Sequence, residues 1–235
     1  MINSQRFYDR VSGKIPLSEG GSVNIVFLGD SVTHGCFGGT GNPRLDHNRF
    51  ASYTMKFHKM IGVLFPKTVF NIINSGIGGE TATMGLARFD RDVLAYHPDL
   101  VVISFGLNDH TDHEGYVKSL GIMFDKLNEL SIPCVYLTEN MMNTVSDEKT
   151  EERWKEYSHV TAEKQNGGEM DKLFASGIAV AKEKNITVCD VYGKWKNLAR
   201  SGADITGLLA NYINHPIPEM HDFTAFSLIS TLFFE

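Results

Sequence analysis

Asn24-Ile25-Val26-Phe27-Leu28-Gly29-Asp30-Ser31-Val32-Thr33-His34-Gly35 is the stretch that decides the fold. A short apolar run stops abruptly at Gly-Asp-Ser. Such a run, bounded by a turn, reads as a strand buried on both faces, the kind found in parallel sheets covered by helices. The turn would carry the Ser31 hydroxyl to the strand's carboxyl end, where open α/β sheets place their ligands. A serine there is a candidate nucleophile if a base and oxyanion donors converge on it.

Working outward, Ile25–Leu28 is joined by four further apolar runs: Val69–Ile73, Leu100–Ser104, Cys134–Leu137 and Ile186–Cys189. These five are the predicted strands. Between them, apolar residues recur at helical spacing: Phe50, Tyr53, Phe57, Ile61 and Leu64; Leu86, Phe89, Val93 and Leu94; Tyr116, Leu120, Phe124 and Leu127. Glu151 to Lys184 is polar-rich, with a break expected at Asn166-Gly167-Gly168. Phe223 to Phe234 reads as a closing helix. Val145–Glu169 is polar and hard to place in a core, which suggests a flexible lid or insertion. Strands alternating with helices imply a five-stranded parallel sheet inside a three-layer α/β/α sandwich. There is no repeat, low-complexity tract or linker, so residues 1–235 are expected to form one domain.

Composition narrows the function. The chain has 235 residues, 42% of them hydrophobic and 21% charged, which is ordinary for a globular protein with a sizeable core. A formal net charge of -6, with no cluster of Lys and Arg, argues against a nucleic-acid partner. No run approaches the roughly 18 apolar residues of a membrane span. The N-terminus has no apolar signal region, so a cytoplasmic protein is expected unless a secretion signal was trimmed. The three cysteines, Cys36, Cys134 and Cys189, imply neither a metal spacing nor a disulfide framework. Cys134 and Cys189 read as small core residues, and Cys36 as a thiol standing near Ser31 without a role.

Polar or small residues follow the strands: Asn74-Ser75-Gly76-Ile77-Gly78-Gly79-Glu80-Thr81 after the second and Gly106-Leu107-Asn108-Asp109 after the third. Asn214-His215-Pro216 lies near the C-terminus. Acyl transfer needs a nucleophile, a base and preorganised donors for the tetrahedral oxygen. Ser31, a histidine, a glycine N–H and an asparagine amide would supply them. The glycines could instead cradle a phosphate, but no Walker lysine follows and the G-x-G-x-x-G spacing is absent.

In these blocks the chain resembles the SGNH or GDSL-type serine hydrolases, whose fold is flavodoxin-like. Gly29-Asp30-Ser31-Val32 is similar to their first block, with Val32 for the usual leucine. Asn74 through Thr81 resembles the second and places Gly79 on the oxyanion glycine. Gly106-Leu107-Asn108-Asp109 matches the third and places Asn108 on the oxyanion asparagine. His215-Pro216 matches the end of the fifth and places His215 on the base. The resemblance therefore implies Ser31 and His215 as catalytic residues, with the Ser31 backbone, Gly79 and Asn108 as the oxyanion hole. One position departs from the pattern. The family's aspartate, three residues before the histidine, is here Tyr212, flanked by Asn211 and with Asn214 nearby. A backbone carbonyl or an amide would then orient His215, leaving a Ser-His dyad.

His34, three residues after Ser31, is a further candidate for lining the site. Arg49 and Glu139 could reach a polar substrate, and Met141-Met142 could edge a pocket. Asp30 and Asp109 are expected to shape their loops through backbone hydrogen bonds. His110 and His113 beside Asp109 and Asp112 lack a third ligand, so no metal is expected. The chemistry calls for no cofactor. The resulting expectation is a serine esterase acting on a small-molecule or saccharide ester, with short acyl groups such as O-acetyl preferred. The alternatives are a lipase, lysophospholipase or thioesterase of the same fold, or a non-catalytic carbohydrate-binding relative. Oligomeric state is not legible.

Overall fold

The computed structural model describes residues 2, 4–38 and 46–234. Its strands are β1 (Val23–Gly29), β2 (Phe70–Gly76), β3 (Leu100–Ser104), β4 (Cys134–Leu137) and β5 (Thr187–Cys189). They form one sheet, parallel throughout, in the order β2-β1-β3-β4-β5. Every residue of β3 and β4 is buried, as continuous apolar strands covered on both faces require. The helices are α1 (Gln5–Val11), α2 (Leu17–Gly20), α3 (Ser31–His34), α4 (Tyr53–Leu64), α5 (Ala82–Ala87), α6 (Phe89–Asp92), α7 (His113–Glu129), α8 (Lys155–Asn166), α9 (Glu169–Glu183), α10 (Val191–Arg200) and α11 (Pro218–Phe233). On one face α4 packs against α11; on the other α7 packs against α5 and α9. This is the expected three-layer α/β/α sandwich. In α4, Tyr53, Phe57 and Ile61 turn inward at four-residue spacing, and in α7 Tyr116, Leu120, Met123, Phe124 and Leu127 do the same.

β3 and β4 have the limits predicted from sequence, whereas β5 starts one residue late. β2 runs on through Asn74-Ser75-Gly76, which pair with Phe27-Leu28-Gly29 and do not begin a loop. Their polar groups are satisfied: Asn74 Nδ2 donates to the Thr33 carbonyl at 2.7 Å, and Ser75 Oγ to the Asp92 carbonyl at 2.7 Å. Phe50 lies outside α4, in the turn Arg49–Ala51, and is 85% exposed. The periodic run expected from Leu86 to Leu94 breaks at Arg88, which forms ion pairs with Glu80 and Asp92. The closing helix starts at Pro218, earlier than Phe223. Proline suits the first turn of a helix, where its missing N–H costs nothing.

Val145–Glu169 is tied to the body of the fold by hydrogen bonds. Asn143, just before it, donates to the Val145 and Ser158 carbonyls at 2.9 and 2.8 Å and accepts from Thr161 Oγ1 at 2.6 Å. Gln165 accepts the Met142 N–H at 2.9 Å and donates to the Tyr192 hydroxyl at 2.7 Å. Part of the segment's polarity, that of Ser158, Thr161 and Gln165, serves a buried hydrogen-bond network. Met141 and Met142 are core residues and do not edge a pocket. The predicted helix break stands at Gly167-Gly168, with Gly168 at φ 79°.

The strand order sets the place of the site. β1 has β2 on one side and β3 on the other, so the chain reverses direction across the sheet between β1 and β3. The crevice at such a reversal is where α/β sheets bind ligands. Two glycines let α3 sit directly on the strand ends there. A Cβ on Gly29 would lie 2.6 Å from the Ser104 carbonyl oxygen, and one on Gly76 would lie 2.7 Å from the Thr33 carbonyl carbon. Gly29→Ala should therefore cost about 1–3 kcal/mol through overpacking. The expected observation is a lower urea midpoint with an unchanged slope.

Candidate active site

At the end of β1, Asp30 caps α3, its Oδ1 accepting the Val32 N–H at 2.9 Å. Ser31 is the first residue of that helix, so its N–H belongs to the turn that lacks intrahelical acceptors. Gly35, at φ 95°, ends α3 after one turn. Gly79 follows β2 at φ 80°, a conformation that only glycine adopts without strain. Asn108 follows β3. Its Nδ2 donates to Asp30 Oδ2 and to the Glu80 carbonyl, both at 3.0 Å, so both amide hydrogens are committed. As expected, Asp109 shapes its loop, its Oδ1 accepting the Ala82 N–H at 2.9 Å.

His215 precedes α11 on a tightly tethered loop. Asn211 Oδ1 accepts the N–H groups of Ile213, Asn214 and His215 at 3.1, 3.0 and 2.9 Å. The Ala210 N–H donates to the His215 carbonyl at 2.7 Å, and Asn140 Nδ2 donates to the Asn214 carbonyl at 2.9 Å. Between them Tyr212 takes the left-handed conformation at φ 58°. Its ring lies 5.7 Å from the Lys149 ammonium.

Ser31, Gly79, Asn108 and His215 line one cleft of about 440 Å³. Its wall also includes Asp46, Arg153, Trp154 and Tyr157, none of which the sequence singled out. Asp46 stands just after a glycine-rich stretch and carries no motif. The other three fall in the polar run that suggested a lid. A second groove, of about 560 Å³, lies between α4 and α11 and contains none of the four. His34 is not among the described residues lining the cleft. It contacts Arg49 instead, Nε2 to Nη2 at 3.2 Å, and Arg49 is likewise absent from the wall. Glu139 is buried beneath the cleft and is not one of its lining residues. His113 contacts Ser176 Oγ at 2.6 Å.

Burial pushes the His215 pKa down to about 4, while the backbone of Gly38 and Phe37 and the charge of Asp46 pull it up. Among the described residues Nδ1 has no hydrogen bond of full geometry. The imidazole is therefore neutral at pH 7 and able to accept a proton. Asp46 is the one acid among the described cleft residues. Cys36 also borders the cleft, but burial, reinforced by the Asp30 charge, pushes its thiol up to about 11. It stays protonated and is a poor nucleophile.

Residues 27–223 match the family model of the GDSL-like Lipase/Acylhydrolase family. The chain belongs to that family. A stretch of 93 residues is 33% identical to an acetylxylan esterase of Geobacillus stearothermophilus, taking in 38% of this chain and 41% of that enzyme. Among solved structures, an acetylxylan esterase of Geobacillus stearothermophilus superposes with a TM-score of 0.69 at 19% identity, over 91% of this chain and 95% of the other. A two-domain esterase active on acetylated mannans gives 0.66 at 20% identity, over 90% of this chain and 48% of that one. The structural likeness is one of fold. Among the described residues, no helix of this GDSL-like protein is long and apolar enough to cross a membrane.

A base must be neutral to work, and a depressed pKa keeps His215 neutral to lower pH. With His215 as the base, the acid limb of kcat/KM should fall near pH 4, where an unperturbed histidine would put it near 6.5. A pH profile on p-nitrophenyl acetate checks this.

Proposed function

We propose that this chain is a serine esterase that removes short acyl groups, above all acetyl, from saccharides. The observation that carries this is the meeting of Ser31, Gly79, Asn108 and His215 in one cleft at the β1/β3 crevice. Ser31 Oγ attacks the ester carbonyl as His215 takes its proton. The tetrahedral oxygen receives the N–H groups of Ser31 and Gly79 and one Asn108 amide hydrogen, which leaves the Glu80 carbonyl as charge builds up. Collapse expels the alcohol, protonated by His215. Water, activated by the same imidazole, then releases the acid and frees Ser31. These steps consume no cofactor.

The preference for a saccharide ester is supported by family membership and by the similarity to acetylxylan esterase. The cleft wall adds to it. Trp154 is 43% exposed, with the Arg153 guanidinium 5.5 Å from its ring and Tyr157 at 6.3 Å. Aromatic faces beside hydrogen-bonding groups suit a sugar ring, whereas a long acyl chain would call for a continuous apolar wall.

Ser31→Ala should abolish turnover of p-nitrophenyl acetate. Asn108→Ala should lower kcat by about 10²–10³. Initial rates on acetylated xylo-oligosaccharides, p-nitrophenyl acetate and p-nitrophenyl octanoate test the substrate class. Deacetylation of the sugar and an acetyl rate at least about tenfold above octanoyl are expected. A faster octanoyl rate would mark a lipase, and equal rates in wild type and Ser31→Ala would remove the serine mechanism.

A further inference from the structure

Behind the oxyanion site lies a cluster of buried acids that the proposed mechanism leaves idle. Asp30, Asp109 and Glu139 are each 3% exposed or less. Glu139 stands two residues beyond β4. Its Oε2 accepts the Leu107 N–H at 2.8 Å, and its carboxyl meets that of Asp30. Among the described residues, Oε1 has no N–H or hydroxyl donor. Arg88, the cation reaching toward the end of β1, is spent on Glu80 and Asp92.

Two carboxylates in contact, out of water and without a cation, cannot both be ionised. Burial pushes both groups up; the charge of Asp30 and the hydrogen bond to it push Glu139 further, whereas the hydrogen bond from Glu139 holds Asp30 lower. The pair therefore holds one proton. Asp30 already accepts two N–H bonds, from Val32 and Asn108, which stabilise its anion. The proton accordingly resides on Glu139, whose O–H donates to Asp30 while its other oxygen accepts from Leu107.

We propose that Glu139 is a positioning residue for the oxyanion site, a neutral acid joining Asp30 to the β3 loop so that the Asn108 amide is held over the cleft. Through Asp30 it braces the first turn of α3, which carries Ser31. Through Leu107 it braces the residue next to Asn108. This role rests on the esterase mechanism proposed above.

Glutamine at this position keeps both bonds, its amide N–H donating to Asp30 and its carbonyl accepting from Leu107. Leucine keeps neither. On p-nitrophenyl acetate, Glu139→Gln should retain most of the wild-type turnover. Glu139→Leu should lose about 10²-fold in kcat with KM little moved, the scale of a misplaced catalytic group. Because Glu139 acts through Asn108, adding Glu139→Leu to Asn108→Ala should cost little more than Asn108→Ala alone. Melting curves establish that each variant is folded. Infrared difference spectra at neutral pH should show one C=O band of a protonated carboxyl that wild type has and Glu139→Gln has lost, with any band from Asp109 common to both. If Glu139→Leu does not fold, the glutamine variant and its spectrum decide. A folded leucine variant with wild-type kcat, a glutamine variant slowed as much as leucine, or spectra with no lost band would each overturn the proposal. Wild type no faster than Ser31→Ala would instead sink the esterase mechanism, and the infrared arm would still judge the proton.

Discussion

The buried carboxylate of Asp30 accepts the Val32 N–H at 2.9 Å and the Asn108 amide at 3.0 Å, and these two bonds tie the end of β1 to the end of β3. Much else in the cleft depends on this tie. It fixes the start of α3, and with it the direction in which Ser31 faces. It holds the Asn108 side chain at the crevice that the strand order creates. Gly29 and Gly76 make the tie sterically feasible, since side chains there would drive α3 away from the sheet.

A balance of charge and burial surrounds this tie. The cleft places a desolvated histidine opposite a floor of buried acids. Desolvation keeps the imidazole neutral and also keeps protons on carboxyls that would be ionised in water. One physical cause therefore keeps the proposed base neutral and also keeps buried carboxyls able to donate hydrogen bonds. The loop bearing His215 has no aspartate at the family's position, and its asparagines are occupied in fixing the backbone. Precision here comes from the clamp of Asn211 on three successive N–H groups.

What the sequence made legible follows from periodicity and from short motifs. β3 and β4 are readable to the residue because they are buried on both faces and, but for Ser104 at the end of β3, form unbroken apolar or aromatic runs. β2 was cut short because Asn74 and Ser75 are polar, and only the fold shows their side chains finding partners. Likewise only the fold shows that Ser158, Thr161 and Gln165 of the polar segment Val145–Glu169 are buried and hydrogen-bonded, since buried and solvated polarity look alike in a sequence. Ser31, Gly79, Asn108 and His215 stand out in the sequence because each sits in a block of recognisable form, and the fold brings all four to one cleft. Asp46, Trp154 and Tyr157 carry no such block, and their place at the cleft depends on how loops far apart in the chain meet. Glu139 reads in the sequence as a residue that could reach substrate, whereas in the fold it is buried and its carboxyl accepts the Leu107 N–H.

The proposed nucleophile stands early in this sequence and the proposed base late, joined only through a sheet whose neighbours are distant in sequence. Parallel pairing of this kind closes long loops before it is rewarded, so it forms late and cooperatively. During synthesis, β1 and its serine emerge long before the loop that carries His215. A growing chain, or one cut short before that loop, presents a serine with no base beside it. Esterase activity would thus arise only once the sandwich has closed, which makes it a direct readout of complete folding and leaves partly made chains chemically silent.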